Sequence, residues 1–379
     1  MRDALGYHQL AEALLAGRGF VNDFGYPEVV RTPGYPLLLA GIYGLVGPKL
    51  WAVYFAHAVL HAISTFLLMK VALLVVGPRR SWILALGFSF ALFPFTLFTA
   101  TRVLTETLTT TLLLGELTVL VSMQRWARFP IAGVLLGLTA VVRPSFALLP
   151  FALALLLYFL RPPLRDLKGA AAMLGAALLF TAPWSVRTSL LTERPSLMVA
   201  GLFGVNLHIA SWEYRDLSAG LPRTTDYENP TYLEADRRAV LSILEPRGSV
   251  AWTVGLEKAR VQLGVAEIRA HPWLYLRSSM MRVLKLWTSQ HHPKVPNWIG
   301  DLAALVCLTL LGLGVFGAWR TWPWSDAQKI LLATVFYLCL LHLPLHAEAR
   351  YSIPVRPILL LFVFLAFLPA KSELSSEAS

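Results

Sequence analysis

Carboxylates and guanidinium groups that interrupt long apolar runs are the side chains here whose chemistry stands out. Four such clusters occur: Asp3 to His8, Glu28 to Pro36, Arg102 to Glu106, and His346 to Arg350 with Tyr351. A carboxylate can accept a proton from an attacking hydroxyl. A guanidinium can grip a phosphate or a carboxylate through paired N–H donors. Charge at membrane depth is costly and, where it occurs, marks a cavity or a substrate path. No single cluster decides anything; what they can do together depends on the elements that carry them.

Those elements cross a membrane. Of 379 residues, 56% are hydrophobic and only 15% charged, and the mean hydropathy is +0.59. A soluble domain of this size cannot bury that much apolar surface. Several apolar runs approach the ~20 residues needed to span a hydrocarbon core. The formal net charge of +11 does not indicate nucleic acid, because the basic residues form short clusters between apolar runs and not one basic face. The positive-inside rule accounts for them. Cys307 and Cys339 lie inside apolar runs without metal-ligand spacing, where a thiol acts as a small hydrophobe.

Under that rule Arg79-Arg80, Arg125 with Arg128, Arg161, Arg165 and Lys168, Arg320 with Lys329, and Lys371 are cytoplasmic. The alternation closes with nine crossings, at 50–76, 82–100, 104–123, 130–142, 145–160, 169–186, 299–319, 327–345 and 354–369. It requires that Arg143-Pro144 be the tip of a hairpin, the alternative being a kink in one helix. All four polar clusters then fall on the extracytoplasmic side. So do residues 1–35, and with no cleavable signal visible the alternation implies one more transmembrane helix ahead of Met1.

The expected organisation is an N-terminal transmembrane module (1–186) containing a first extracytoplasmic loop (1–35) and an interfacial segment (33–47). An extracytoplasmic, mostly helical region (187–298), C-terminal transmembrane helices (299–369) and a polar tail (370–379) follow. Within the extracytoplasmic region Leu233 to Leu244 and Val250 to Ile268 are amphipathic. Ala270-His271-Pro272 reads as a helix stop and restart. The fold class is all-α, a polytopic helical bundle.

Several segments, taken in order, resemble a known family. They are Asp3-Ala4-Leu5-Gly6-Tyr7, Gly17-Arg18-Gly19-Phe20, Arg31-Thr32-Pro33-Gly34-Tyr35-Pro36-Leu37, Thr105-Glu106-Thr107-Leu108, Val142-Arg143-Pro144-Ser145, Ala182-Pro183-Trp184-Ser185-Val186-Arg187, Gly204-Val205-Asn206-Leu207, His271-Pro272 and Glu348-Ala349-Arg350-Tyr351-Ser352-Ile353-Pro354. The ordered set is similar to the C-type glycosyltransferase superfamily, family 39-like, whose members include protein O-mannosyltransferases and lipid A aminoarabinose transferases.

The resemblance implies an inverting transfer, at the extracytoplasmic face of the cell membrane, from a polyprenyl-phosphate sugar to an acceptor hydroxyl on a glycan, lipid or protein. The first-loop aspartate, here Asp3, would be the general base. The departing phosphate wants a fixed cation, preferably a guanidinium; Arg350 is the first candidate and Arg31 the second. Tyr7, Glu28, Tyr35, Arg102, Glu106, Asn206, Glu348 and Tyr351 would line the substrate cavity. No metal or other cofactor is expected, the lipid-linked sugar being a substrate, and the remaining partner is the bilayer.

The same residues have plainer readings. Asp3 suits a helix N-cap, and Glu106 suits a first helical turn through the macrodipole. Arg350 with Glu348 can be an interfacial ion pair. Tyr7, Tyr35 and Tyr351 suit an aromatic belt. His8, His208, His291 and His292 lack regular ligand spacing. Protein O-mannosyltransferases carry a second acidic residue where Ala4 follows Asp3, which favours the broader bacterial branch. A transporter or lipid flippase, or an inactive truncated homologue, is the rival reading; the chain shows no internal repeat of the kind many transporters have. The topology is directly testable. Cysteines placed at Ser81 and Ser218 should be labelled from opposite sides by an impermeant reagent, and equal access to both would overturn the map.

Overall fold

The computed structural model describes residues 2–122, 126–160, 166–218, 230–288 and 297–368. Arg125, Arg161, Arg165, His291, His292, Lys371, the tail 370–379 and the side chain of Ser218 lie outside the described residues. Within them the chain is helical. The one β-pairing among them is an isolated antiparallel bridge between Val21 and Pro27.

Residues 1–35, expected as the first extracytoplasmic loop, contain a helix, α1 (Arg2–Leu15), with Asp3 in its first turn. Gly17 and Gly19 end it with φ of 69° and 79°, a left-handed region that costs glycine nothing. The chain then turns back through the Val21–Pro27 bridge into α2 (Gly34–Val46), the segment expected at the interface. Gly34 sits where a Cβ would come within 2.8 Å of the Val141 carbonyl oxygen, so α2 starts pressed against residues 141–142.

Next come α3 (Leu50–Val76), α4 (Arg80–Ala91) and α5 (Pro94–Ala100). The expected single crossing at 82–100 is in fact this pair, bent by 49°. Extended Phe93 followed by Pro94 explains the break, since proline disfavours a helical residue before it. α6 (Glu106–Ser122) and α7 (Arg128–Val142) follow. At Arg143 the backbone is extended (φ −141°, ψ 104°), and a single 3-10 turn at Pro144–Phe146 leads into α8 (Leu149–Phe159). Two helices therefore meet at Arg143-Pro144, not one kinked helix.

After α9 (Leu167–Thr192), whose first turn is capped by Asp166, come α10 (Leu202–Ser218), α11 (Pro230–Leu241), α12 (Val250–Ala270) and α13 (Pro272–Lys285). His271-Pro272 separates the last two, because proline at the first helical position lacks the N–H that would continue α12. The chain closes with α14 (Asn297–Arg320), α15 (Asp326–Leu341), a 3-10 segment (Ala349–Val355) and α16 (Arg356–Ala366). α15 ends at Leu341, short of the expected residue 345. Four of the described helical segments are long and apolar enough to cross a membrane, or five if α4 and α5 form one span.

Packing is close where side chains are smallest. A Cβ on Gly137 would lie 2.9 Å from the Ala177 carbonyl oxygen, and one on Gly133 would collide with the Met173 carbonyl, so α7 and α9 touch backbone to backbone. Gly317 does the same for α14 against Phe362 of α16. Where lipid offers no hydrophobic drive between helices, such close approach supplies dispersion contact. Gly317→Val should accordingly cost about 1–3 kcal/mol, the range for overpacking, read as a lower unfolding temperature in detergent. An unchanged temperature would mean that the α14–α16 contact is looser than described.

Candidate active site

A cavity of about 820 Å³ opens where the polar clusters meet. α1 brings Asp3 and Tyr7 to it, the turn before α2 brings Arg31, the start of α6 brings Glu106, and the α7–α8 break brings Arg143. The start of α10 adds Asn206, and the segment after α15 adds Arg350 and Tyr351. Most of these lie in the first turns of a helix or beside a break. That is where backbone geometry lets a side chain project inward without disturbing a packed helical face.

Two arginines organise the wall, each through its own ion pairing. Arg350 Nη1 lies 2.9 Å from Asp3 Oδ2, and Arg350 Nε donates to Glu348 Oε2 at 2.6 Å. Neither bond uses Nη2 of Arg350 or Oδ1 of Asp3. The pair of Arg143 Nη1 with Glu106 Oε1, at 3.2 Å, is nearly enclosed. Removing one partner of so buried a pair typically costs about 3–5 kcal/mol. Glu106 Oε2 is buried with no protein partner. An orphaned acceptor on a cavity wall is suited to receive a donor from a bound molecule.

Aromatic rings space these charges. The guanidinium carbons of Arg143 and Arg350 lie 5.3 and 5.4 Å from the Tyr351 ring centroid, and that of Arg31 lies 5.9 Å from Tyr7. Arg31 also lies across Gly6, where a Cβ would come within 2.6 Å of its guanidinium carbon. The Tyr7 phenol is pushed up to about 12, by burial first and then by the Asp3 and Glu106 carboxylates, against the opposing pull of Arg31 and Arg143. It is therefore a neutral hydrogen-bond donor at physiological pH. Glu348 moves the other way: burial works against its charge, yet the hydrogen bond from His346 and the Arg350 guanidinium hold its carboxyl at about 2.

Seven expected residues meet at this cavity: Asp3, Tyr7, Arg31, Glu106, Asn206, Arg350 and Tyr351. Four do not line it. Glu28 turns its carboxylate back to accept the backbone N–H of Val30 (2.6 Å) and Arg31 (3.1 Å), so it shapes the turn that aims Arg31. Tyr35 is fully buried behind Tyr7, its hydroxyl 3.1 Å from His57 Nε2. Arg102 folds over the Phe98 ring at 4.2 Å. Glu348 stands behind Arg350. Arg194, Glu257 and Lys258 line the cavity without being expected there, and so does Arg143, which the sequence offers as a topological marker. Its signal was a cation inside an apolar run.

Among the described residues no group of three or more His, Cys, Asp or Glu side chains is arranged to hold a metal ion. His8 pairs with Glu12 and with the Tyr43 hydroxyl. The arrangement offers guanidinium cations for an anion, carboxylates for a proton, and an apolar wall including Leu104, Leu148, Phe203 and Leu345 for a hydrocarbon chain.

Residues 30–187 match the profile of a family described as dolichyl-phosphate-mannose-protein mannosyltransferase. No curated protein matches the chain in sequence. Among solved structures, the oligosaccharyltransferase AglB of Archaeoglobus fulgidus, in complex with an inhibitory peptide and a dolichol-phosphate, superposes with a TM-score of 0.55 at 10% identity, over 95% of this chain and 45% of that one. An Archaeoglobus fulgidus oligosaccharyltransferase tethered to an acceptor peptide containing the NVT sequon gives 0.54 at 11% identity, over 95% and 44%. ArnT of Cupriavidus metallidurans bound to undecaprenyl phosphate gives 0.43 at 14% identity, over 96% and 72%. The chain spans less than half the length of the archaeal enzymes. It is a multi-pass membrane protein with the fold of the C-type glycosyltransferases, and its residues 30–187 carry the sequence pattern of the dolichyl-phosphate-mannose-protein mannosyltransferase family.

Proposed function

We propose that this chain transfers a sugar, with inversion, from a polyprenyl-phosphate donor to an acceptor hydroxyl at the extracytoplasmic face of the cell membrane. The observation that carries the proposal is the Asp3–Arg350 ion pair, 2.9 Å across, on the wall of a cavity that also presents Arg31, Arg143 and Glu106. A potential base and a phosphate-binding cation stand side by side, with further cations within the same space.

In the transfer the acceptor oxygen attacks the anomeric carbon while the carbon–oxygen bond to phosphate breaks. The phosphate leaves with the bonding electron pair. Asp3 takes the hydroxyl proton, which would otherwise remain on an increasingly positive oxygen. Arg350, with Arg31 and Arg143, stabilises the charge growing on the phosphate, a fixed arrangement needing no reorganisation at the moment of reaction. Arg350 is shared between Asp3 and Glu348. A donor phosphate offers Arg350 another anion, and the carboxylate of Asp3 is then free to face the acceptor. The guanidinium groups supply the positive charge, so the proposal calls for no divalent metal. The polyprenyl chain would lie along the apolar wall, and the acceptor is a glycan, a lipid or a protein.

Glu106 is the second candidate base, and one observation favours it: its buried, unpartnered Oε2. Substitution in the full chain separates the two. Asp3→Asn keeps size and much of the hydrogen bonding but cannot accept a proton, so transfer of radiolabelled sugar should fall on the order of 10²–10⁴-fold with donor affinity nearly intact. A rate within about threefold of the parent would remove Asp3 from the mechanism. If Glu106→Gln were then inactive, the base would be Glu106. Arg350→Lys should behave differently, weakening donor binding as well as rate, because a point-like ammonium replaces a planar fork. Parent-like donor binding by that variant would assign the phosphate to Arg31 or Arg143.

A further inference from the structure

Behind the cavity wall lies a buried cluster that the transfer chemistry does not itself use. His346 is 1% exposed, its Nδ1 is 2.9 Å from Glu213 Oε1, and its Nε2 is 3.4 Å from Glu348 Oε1. Both ring nitrogens thus face carboxylate oxygens. A neutral imidazole has one donor and one acceptor nitrogen, and would set a lone pair against one of the two carboxylates. An imidazolium donates to both.

The cluster is one stretch of a longer chain of alternating charge. On α13, Arg282 Nη1 and Lys285 Nζ lie 3.3 and 3.6 Å from Glu213, which is carried by α10. Glu213 is held below the usual carboxylate range, because the His346 hydrogen bond and the charges of Lys285, His346 and Arg282 outweigh its burial. Beyond His346, Glu348 holds Arg350 Nε, and Arg350 reaches Asp3. The order is cation, Glu213, His346, Glu348, Arg350, Asp3, and it runs from the helices between α9 and α14 to the cavity. His346 is itself anchored, its N–H donating to the Asn206 carbonyl at 3.1 Å and its own carbonyl facing His342 Nδ1 at 2.8 Å.

We propose that His346, in its protonated form, is a positioning residue: it offsets the charge of Glu348, so that Arg350 is held at the cavity wall with charge to spare for an anionic phosphodiester. The inference rests on the cavity being the donor-phosphate site. Its consequence follows from sign. Among the described residues, loss of the imidazolium proton leaves Glu348 with Arg350 as its close cation, so Arg350 is neutralised from behind and the wall becomes more negative by one charge. Phosphodiester affinity therefore falls as pH rises through the titration of His346.

Among the described residues, the other charged or titratable groups around the ring are these. Glu213 comes from α10, Arg282 and Lys285 from α13, and His342 from the end of α15. Glu348, Arg350 and Tyr351, whose ring is 6.3 Å away edge-on, come from its own segment. Arg143 stands on the far side, against Tyr351. Lysine, arginine and tyrosine ordinarily titrate near or above pH 10 and carboxylates near 4. His342 is separated from His346 by its own control below.

The test measures binding of a short-chain polyprenyl methyl phosphodiester to the full chain in nanodiscs. Such a diester keeps a single negative charge over the histidine range. Parent affinity should fall about tenfold as pH is raised, within the coupling that side-chain networks carry. His346→Gln should bind about tenfold more weakly than the parent at the acid end and show no slope. His342→Gln should keep the slope. Glu213→Gln removes one carboxylate that favours the imidazolium, so it should move the decline to lower pH, which a merely structural brace would not do. If His346→Gln does not fold, as judged by thermal unfolding, the parent slope and the Glu213→Gln shift decide. Binding by the parent with no pH slope, or a slope retained in His346→Gln, overturns the role of His346 and leaves the donor site standing. No binding by the parent at any pH overturns the donor site and this inference with it.

Discussion

A charge taken out of water must find a counter-charge, and this requirement ties the structure together. Arg350 contacts Asp3 and Glu348, Arg143 contacts Glu106, and His346 contacts Glu213. Each pair but the short Arg350–Glu348 link joins segments far apart in the chain. Breaking one partner out of an enclosed pair such as Arg143–Glu106 or His346–Glu213 is more costly than the pair is worth in isolation, because the remaining charge stays buried. These pairs therefore constrain which helix ends meet: α6 with the α7–α8 break, and α10 with the segment after α15. The half-exposed Asp3–Arg350 pair adds α1 to the same place.

Helix interruptions supply the places where those charges can sit. Gly17 and Gly19 end α1, Pro144 stops α7 beside Arg143, and Pro272 separates α12 from α13. The bundle behind them is apolar, with Leu113, Leu114 and Leu117 of α6 fully buried. One polar contact inside it joins two helices, the Thr139 hydroxyl donating to Glu116 Oε2 at 3.1 Å. The resulting cavity is lined by both charged and apolar side chains, a combination that suits a molecule with a phosphate head and a hydrocarbon tail.

Much of this could be read from the residues. Apolar run length located α3 at 50–76 and placed the other long helices within a few residues, because hydrocarbon thickness is a strong constraint. The break at Arg143-Pro144 and the restart at His271-Pro272 follow from proline alone. Legibility ended where contacts depend on tertiary reach. Glu213 and His346 are 133 residues apart, and nothing local announces their meeting. Glu28 and Tyr35 looked like cavity residues because they flank Arg31. Their side chains are taken by a backbone turn and by His57, partners that a polar cluster in a sequence does not reveal. Arg102 was similarly misplaced, its guanidinium lying over the neighbouring Phe98 ring.

The central claim is that a lipid-linked phosphate enters the cavity between α1 and the Arg350 segment. Photocrosslinking tests it most directly, using the full chain in nanodiscs and a polyprenyl phosphate analogue with a diazirine beside the phosphate. The adducts are mapped by peptide mass spectrometry. The account predicts adducts concentrated on residues 3–7, 30–32, 104–106, 142–148 and 341–351, suppressed by unlabelled polyprenyl phosphate. Adducts spread over lipid-facing surfaces such as α14, at the same yield as a neutral polyprenyl alcohol control, would contradict it.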